Sequence, residues 1–270
     1  MREVEPCVYL IGQSVVNRGN AQRWLDSIGA DKFELDKYAS PAELLVQLAG
    51  KRCYMSFQPG LNPNIERVRT DMAEFIENIL KVGHGSVLEH ASFSFAIENV
   101  SRVFTGEMNR HRAGMAISEG SMRFIRFTDI PFWKPTSLQI NETDTEIVKE
   151  KKRMTWVLFK NVIEKVEHTY AMLEDIWKDE LAPTSSFKEK KHLTSMFRRI
   201  VPMGVATGGV WTGNLRALRH IFTMRCAPAA EEEILLVASM MLEEMIKAEP
   251  EFFADFEKVN GYWQPQYKKV

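Results

Sequence analysis

The chain has 270 residues, of which 45% are hydrophobic and 26% charged, and its formal net charge is −1. This near-neutral balance points away from a nucleic-acid scaffold and from a membrane-surface binder, so any anion site has to be local. Three widely spaced cysteines without zinc or disulfide spacing, no leader, no apolar run long enough to span a membrane and no internal repeat together predict a single cytoplasmic domain over 1–270.

The first half of the chain predicts alternating strands and helices. Residues 7–16 are rich in β-branched and aromatic side chains, which is typical of a strand. A proline at the start and a glycine at the end delimit a short helix over 41–50, and apolar periodicity predicts another over 65–83. Residues 91–98 alternate apolar and polar side chains, as a half-buried strand does, and Ser101 is a candidate cap for the next helix.

The second half predicts mainly helices. A turn-rich stretch with a short strand at 137–140 precedes them, and the glycine-rich segment 202–213 predicts a strand or a close-packed loop. Asn214 is a candidate cap for the helix that follows it. The predicted helices of this half cover 145–178, 192–201, 215–225 and 229–249. We therefore expect a mixed α/β fold with a helical C-terminal half.

Three consecutive basic residues, Arg110, His111 and Arg112, interrupt the otherwise neutral pattern. In a strand or a helix they cannot all face one small target, so they either wrap a large ligand or contact several bodies. A solvated charge cluster is the ordinary alternative, but the run lies between apolar segments. Downstream, Ser121 and Arg123 offer a hydroxyl and a guanidinium suited to phosphate.

Two further clusters carry chemically useful side chains. His84, Ser86, Glu89 and His90 lie near the start of a predicted strand, where structural hydrogen bonding and a metal site are both open. The spacing is not that of HExxH, so we predict no metal.

On the helix over 215–225, Arg216 and His220 share one face, while Arg225 lies about 180° around the helix from Arg216 and faces a different body. Helix-surface charge is the alternative for all three. Cys226, beside Arg225, is either a thiol of lowered pKa or, as we favour, a small buried residue.

Taken in order, the motifs GHGSVLEH (83–90), RHR (110–112), SEGSMRF (118–124), RRIVP (198–202) and NLRALRHIFTMR (214–225) resemble those of the flavin-dependent thymidylate synthase family (ThyX). The resemblance implies a central, mainly antiparallel sheet flanked by helices. It also implies a homotetramer with active sites at subunit junctions. The implied ligands are FAD, dUMP, methylenetetrahydrofolate as carbon donor and NADPH as reductant.

The resemblance also implies roles for individual residues. Those resembling the FAD-binding residues are Ser86, Glu89, Arg110, His111, Arg112, Asn214, Arg216 and His220. Those resembling the nucleotide-binding residues are Glu107, Glu119, Gly120, Ser121, Arg123, Arg198 and Arg225. Of these, Arg225 and Ser121 are assigned to catalysis, with Arg225 stabilising negative charge on the pyrimidine.

Two departures from the family pattern concern the nucleotide. Eight residues, 113–120, separate the basic triplet from Ser121 where the family usually has seven, and Glu107 replaces a usual glutamine. An ionised carboxylate accepts hydrogen bonds but donates none. An alternative is therefore a flavoenzyme that modifies C5 of dCMP or yields a hydroxymethylated pyrimidine. A non-catalytic flavin- or nucleotide-binding relative is the other.

Overall fold

A computed structural model describes all 270 residues, with eight strands, eight α-helices and short 3-10 turns. The strands are β1 (Arg2–Val4), β2 (Cys7–Gln13), β3 (Ser92–Ser101), β4 (Met115–Glu119), β5 (Pro131–Trp133), β6 (Ala206–Asn214), β7 (Phe256–Val259) and β8 (Tyr262–Pro265). The helices are α1 (Arg18–Ser27), α2 (Pro41–Tyr54), α3 (Met72–Val82), α4 (Arg102–Met108), α5 (Glu146–Ile176), α6 (Phe187–Phe197), α7 (Leu215–Arg225) and α8 (Glu232–Ala248). No helix is both long and apolar enough to cross a bilayer.

The central sheet has four strands in the order β2–β3–β6–β4, and every neighbouring pair is antiparallel. β1 and β5 form a separate parallel pair, and β7 and β8 form a hairpin. The mixed α/β class with an antiparallel sheet flanked by helices is thereby confirmed. Two site-bearing segments, 115–119 and 206–214, are adjacent strands of this sheet, so the sheet register fixes their relative position.

The principal core lies on one face of the sheet. The predicted alternation in β3 is confirmed, because Phe93, Phe95 and Ile97 are fully buried. They join Trp211 of β6 and apolar side chains of α3, α7 and α8 in a cluster of 30 buried residues. A second cluster of 10 buried residues includes side chains of α5 and α6. The sheet and α7 therefore form the rigid support of the motifs on β3, β4 and β6.

Several element predictions are confirmed by their caps. The Ser101 hydroxyl accepts hydrogen bonds from the backbone N–H groups of Val103 and Phe104, and it starts α4. The Asn214 side chain accepts from Ala217 N and starts α7. The long helix over 145–178 is α5, with bounds 146–176. The helix over 229–249 is α8, and the glycine-rich 202–213 segment contains β6.

Other predicted boundaries were wrong. α2 continues through Gly50 to Tyr54, because Gly50 is a packing position: a Cβ there would lie 2.8 Å from Cζ of Phe75. α3 begins at Met72 instead of residue 65, since the Asp71 side chain caps it. The short strand expected at 137–140 is absent; a 3-10 turn occupies Thr136–Leu138.

The second predicted helix of the second half also differs at its ends. α6 starts at Phe187, ahead of the expected 192–201, because Ser186 and Glu189 form a capping box. It ends at Phe197 and continues as a 3-10 turn over Arg198–Ile200. The sequence patterns did not reveal β1, α1, β4, β5, β7 or β8.

Candidate functional site

The basic triplet lies in a turn between α4 and β4. Backbone N–H groups of Arg110 and His111 donate to the carbonyls of Glu107 and Met108, so the turn continues directly from α4. Arg110 and Arg112 are exposed, whereas His111 is half-buried. The triplet therefore presents two cations to the outside and one imidazole to the protein, so its three side chains do not face one target.

His111 meets Arg225 at the end of α7. Arg225 Nε donates to His111 Nε2 over 3.0 Å, and Arg225 Nη1 donates to Glu107 Oε2 over 2.9 Å. The His220 ring lies 6.3 Å from that of His111, centroid to centroid. Arg225 and Glu107 are 19% and 29% exposed, so the pair is partly shielded from water.

Burial, together with the positive charge of Arg225 and the nearby His220 and Arg110, lowers the pKa of His111 below its ordinary value. A neutral imidazole whose Nε2 accepts a hydrogen bond carries its proton on Nδ1. His111 is thus a fixed acceptor that orients the Arg225 guanidinium. Three of the five N–H groups of Arg225 remain available, because His111 and Glu107 take one each.

Glu119, at the end of β4, is held by two polar partners. It forms an ion pair with Arg102 of α4, and Asn109 Nδ2 donates to its Oε2 over 2.9 Å. Asn109 Oδ1 in turn accepts from the indole N–H of Trp211, in the core, over 3.0 Å. The Glu119 carboxylate therefore links α4, β4 and β6, and it is engaged within the chain.

Arg102 brings a second guanidinium to this region. Burial and the neighbouring positive charge of Arg198 lower the pKa of Arg102. Arg198 itself is exposed, in the turn after α6. Two guanidiniums near each other, of which Glu119 neutralises only that of Arg102, favour an anion at this point. Sequence reasoning missed Arg102 and Asn109, since a single arginine or asparagine in a short helix carries no motif.

Gly120 and Ser121 lie beside β6. Gly120 N donates to the carbonyl of Gly208 over 2.8 Å, and a Cβ on Gly120 would lie 2.8 Å from Thr207 Oγ1. That hydroxyl is buried and has no hydrogen-bond partner within the chain. An unpartnered buried hydroxyl costs free energy until a partner binds it. Thr207 is a further site residue that no sequence signal indicated.

Arg123 points to a different part of the molecule. It lines a cavity of about 680 Å³ with residues of α6, including Lys188, Lys191 and His192. Its carbonyl accepts a hydrogen bond from Thr194 over 2.5 Å. Within one chain, therefore, Arg123 belongs with α6, apart from the contacts of Arg225.

The GHGS segment (83–86) meets the start of α7. Arg216 Nη1 donates to Glu89 Oε1 over 2.7 Å, and Ser86 and Arg216 line one cavity of about 290 Å³. Asn214 caps α7, and its backbone N donates to the carbonyl of Gly114 over 3.0 Å. Gly114 has a positive φ of 71°, and a Cβ there would lie 2.6 Å from Asn214 Nδ2, so glycine is required.

The remaining expectations concern metal and thiol chemistry. No group of three or more His, Cys, Asp or Glu side chains is placed to hold a metal ion. Cys226 is fully buried, and burial raises the pKa of its thiol to about 12. A thiol of lowered pKa is therefore wrong for Cys226, and the small buried residue that we favoured is correct.

The structure thus gathers the predicted residues into three groups. One joins Glu107, His111 and Arg225; a second joins Glu119, Gly120 and Arg198 with Arg102; the third joins Ser86, Glu89, Asn214 and Arg216. Arg123 is separate. Each of the three groups contains side chains that can bind an anion or form hydrogen bonds, as a nucleotide site requires.

Comparisons with known proteins identify relatives of the chain. The family model described as thymidylate synthase complementing protein matches residues 34–251. A flavin-dependent thymidylate synthase of Mycolicibacterium vanbaalenii is 34% identical over 215 residues, covering 80% of each protein. A flavin-dependent thymidylate synthase of Mycobacteroides abscessus is 29% identical over 232 residues, covering 86% of each.

Solved structures extend the likeness of the fold. The UMP/dUMP methylase PolB from Streptomyces cacaoi, bound with 5-Br dUMP, superposes with a TM-score of 0.61 at 16% identity, covering 94% of each chain. Its complex with 5-Br UMP gives a TM-score of 0.59 at the same identity, covering 94% of this chain and 95% of that one. At this level of identity the match concerns the fold.

Proposed function

The chain belongs to the flavin-dependent thymidylate synthase family, and from this premise we propose that it is an enzyme that reductively methylates dUMP to dTMP. FAD, methylenetetrahydrofolate and NADPH are the proposed cofactor, carbon donor and reductant. The observation that carries the proposal is Arg225, held by a half-buried imidazole and a carboxylate with three N–H groups unspent.

The proposed role of Arg225 follows from its geometry. Pyrimidine C4 and C2 carbonyls are acceptors, and negative charge grows on them as C5 attacks an electrophile. A guanidinium that already has a fixed orientation stabilises that charge without reorganisation. His111 keeps Nε aligned, and Glu107 shields the charge of Arg225 until the substrate binds.

The proposed nucleotide site contains Glu119, Gly120 and Ser121, and Arg123 would join the site of a neighbouring subunit. Arg198 and Arg102 supply positive charge for the phosphate, and Ser121 and the unpartnered Thr207 hydroxyl supply donors. Glu119 keeps Arg102 in place through their ion pair. Ser121 is the second residue that we assign to catalysis, through its position next to Gly120 on this loop.

The flavin residues fit an anionic dinucleotide. Arg110 and Arg112 are exposed cations, Arg216 and His220 lie on α7, and Gly114 allows the backbone to approach closely. Bound FAD, once reduced by NADPH, would supply the hydride that converts the transferred methylene group to methyl, a chemistry that no side chain offers. Ser86, Glu89 and Asn214 position these groups, since Glu89 orients Arg216 and Asn214 caps α7.

The chain itself supports the proposed homotetramer through α5. Its buried face carries Trp156, Ile163 and Tyr170, yet the opposite face also carries six large apolar side chains, beside Lys151 and Lys165. The exposed apolar side chains of that opposite face are Ile147, Met154, Leu158, Val162, Met172 and Ile176. Helical spacing places them in one stripe, and a helix that is apolar on two faces is covered on both.

Charge along α5 favours a second copy in antiparallel orientation. The first half, 146–160, has five basic and two acidic side chains, and the second half, 161–176, has one basic and four acidic. An antiparallel pair places the positive half of one helix against the negative half of the other. A two-fold interface requires this kind of self-complementarity. Assembly would also bring Arg123 of one subunit toward the groups of another.

The test is cofactor binding followed by turnover. The purified protein should be yellow, NADPH should bleach it when dUMP is present, and tritium should be released from [5-³H]dUMP with methylenetetrahydrofolate. Protein that binds no flavin after addition of FAD contradicts the assignment. Isothermal titration with dUMP and with dCMP is the matched comparison. Tighter binding of dCMP than of dUMP would mean that dCMP is the substrate.

A further inference from the structure

The C-terminal segment after the β7–β8 hairpin lies against α7. Residues 252–270 follow the part of the chain that the family model matches, which ends at residue 251. The hairpin brings the chain back so that 267–270 pass beside Gly83, Gly85 and Arg216. This segment lies outside the matched residues, and it reaches residues that we assign to the flavin.

A buried ion pair fixes the course of this segment. Arg219 of α7 and Asp255 are 3% and 5% exposed, and both guanidinium Nη atoms donate to the carboxylate, over 2.8 and 2.9 Å. Tyr267 N also donates to Asp255 Oδ2, over 3.1 Å. A bidentate pair shielded from water is strong and directional. The residues after Tyr267 consequently start from a fixed point next to α7.

A cavity of about 440 Å³ remains between this segment and α7. Its walls are Arg216, His220 and Thr223, which share one face of the helix, and Lys268 and Lys269 on the opposite side. The volume is within the range of small-molecule sites. Since the cavity exists with the segment in place, the segment forms a wall and leaves room for a ligand.

The cavity is lined by cationic side chains, two of which have no acidic partner. No acidic side chain lines it, and the one cation with a buried partner is Arg219, which Asp255 neutralises. Lys268 and Lys269 are exposed and form no ion pair, whereas Arg216 pairs with Glu89 and donates from Nε to the carbonyl of Val270 over 3.1 Å. Two lysines without counterions, facing the remaining N–H donors of Arg216 across the cavity, favour a ligand with several negative oxygens.

We propose that this cavity is a diphosphate subsite in which Lys268 and Lys269 bind the diphosphate of FAD. The assignment rests on the proposed function, because Arg216 and His220 are the FAD residues that form the other wall. NADPH offers the same chemical group, so the experiment separates the two dinucleotides. The lysines act as point charges, whereas the helix side supplies the directed hydrogen bonds.

The test compares two double variants that each remove two lysines. K268A/K269A alters the cavity; K247A/K258A removes lysines that pair with Glu244 and Glu243 outside it. FAD affinity is measured by quenching of flavin fluorescence at several salt concentrations, and ligand-free melting temperatures confirm folding. We expect at least a tenfold higher Kd for K268A/K269A alone, with a shallower dependence on salt.

Three results would overturn the proposal. The first is an FAD Kd for K268A/K269A equal to that of the control variant. The second is tighter FAD binding by K268A/K269A, which would mean that the segment obstructs the site. The third is unchanged FAD binding with weaker NADPH binding by the FAD-loaded variant. If the wild-type protein binds no FAD, the proposed function fails separately. Calorimetry with inorganic pyrophosphate then decides the subsite: binding that depends on the two lysines keeps it, and binding that does not removes it.

Discussion

At the scale of single residues, the site depends on one arginine shared between two acceptors of different kinds. Arg225 donates to the carboxylate of Glu107 and to the imidazole of His111. The carboxylate lowers the local positive charge, while the imidazole must stay neutral in order to accept. Protonation of His111 would place two cations in contact, so the geometry of Arg225 depends on pH.

The pKa shift of His111 predicts the sign of a pH effect on stability. Its pKa in the folded state is below the ordinary value of 6.5. Above pH 6.5 the imidazole is neutral in both states; as pH falls through 6.5 the unfolded chain binds a proton first, and the folded state loses stability. We expect the free energy of unfolding to fall less for His111→Gln than for wild type between pH 7.5 and 5.5, in urea titrations.

The comparison of variants is needed because another group acts in the opposite direction. Burial raises the pKa of Glu249 to about 7, so its contribution to stability is full below about pH 4.5 and is lost as pH rises through 7. That contribution is common to wild type and His111→Gln. Equal pH slopes in the two proteins would contradict the lowered pKa of His111.

Cys226 and Cys53 provide a matched pair for thiol reactivity. The thiolate is the reactive form, and burial raises the pKa of Cys226 to about 12, whereas Cys53 is exposed. Iodoacetamide on the native protein should therefore modify Cys53 and leave Cys226 unmodified, as read by peptide mass spectrometry. In denaturant both should react. Labelling of native Cys226 at the rate of Cys53 would show that Cys226 is accessible.

At the scale of elements, the sequence predicted two helix starts that hydrogen bonds between neighbouring residues determine. Ser101 and Asn214 cap α4 and α7 through hydrogen bonds within three residues, so the sequence is sufficient to place them. β4 was not predicted, because Met115–Glu119 becomes a strand by pairing with β6, almost a hundred residues away. Likewise α2 passes Gly50 because Phe75 of another helix packs there.

The candidate site divides in the same way. Motifs selected Arg225 and Glu107 but gave no sign that the two side chains pair with each other. Arg102 reaches Glu119 because β4 aligns with β6 in the register Glu119 opposite Gly209. That contact is tertiary, and no spacing in the sequence encodes it. Motifs therefore predicted candidate residues, while their partners required the fold.

Gly209 makes the β4–β6 pairing possible, and its replacement should disturb the site. A Cβ on Gly209 would lie 2.4 Å from the carbonyl oxygen of Ser118, which is backbone and cannot rotate away. We expect Gly209→Ala to cost about 1–3 kcal/mol in unfolding free energy, as overpacking does, and to weaken nucleotide binding by displacing Glu119. Urea titration and calorimetry measure the two effects.

Gly106 is the matched control for that substitution. It lies within α4 and is exposed, and apart from its own helix backbone no atom lies within 4 Å of the point that a Cβ would occupy. Gly106→Ala should be neutral or stabilise the protein by up to about 1 kcal/mol, because alanine favours helix. Equal losses in the two variants would mean that Gly209 has no special packing role.

At the scale of the whole molecule, one chain separates groups that a shared site would bring together. Arg123 lines a cavity with α6, while Arg225 contacts Glu107 and His111. The stripe on α5, from Ile147 to Ile176, is apolar and exposed in one chain. Both observations have the same physical explanation if subunits pair along α5 and complete one another's sites, as proposed above.

Leu158 and Val157 test this explanation with one substitution at neighbouring positions. Leu158 is 62% exposed and lies in the stripe; Val157 is 53% exposed and lies about 100° around the helix from it. A glutamate at either position stays in water in the isolated chain, so neither variant should unfold. Buried at a two-fold interface, however, the Leu158→Glu carboxylate meets apolar side chains and its own symmetry mate, which costs several kcal/mol.

We expect light scattering to give a smaller species for Leu158→Glu, with loss of dUMP turnover, and an unchanged mass for Val157→Glu. A wild-type protein that is monomeric, or a Leu158→Glu variant of wild-type mass, would exclude α5 as the interface.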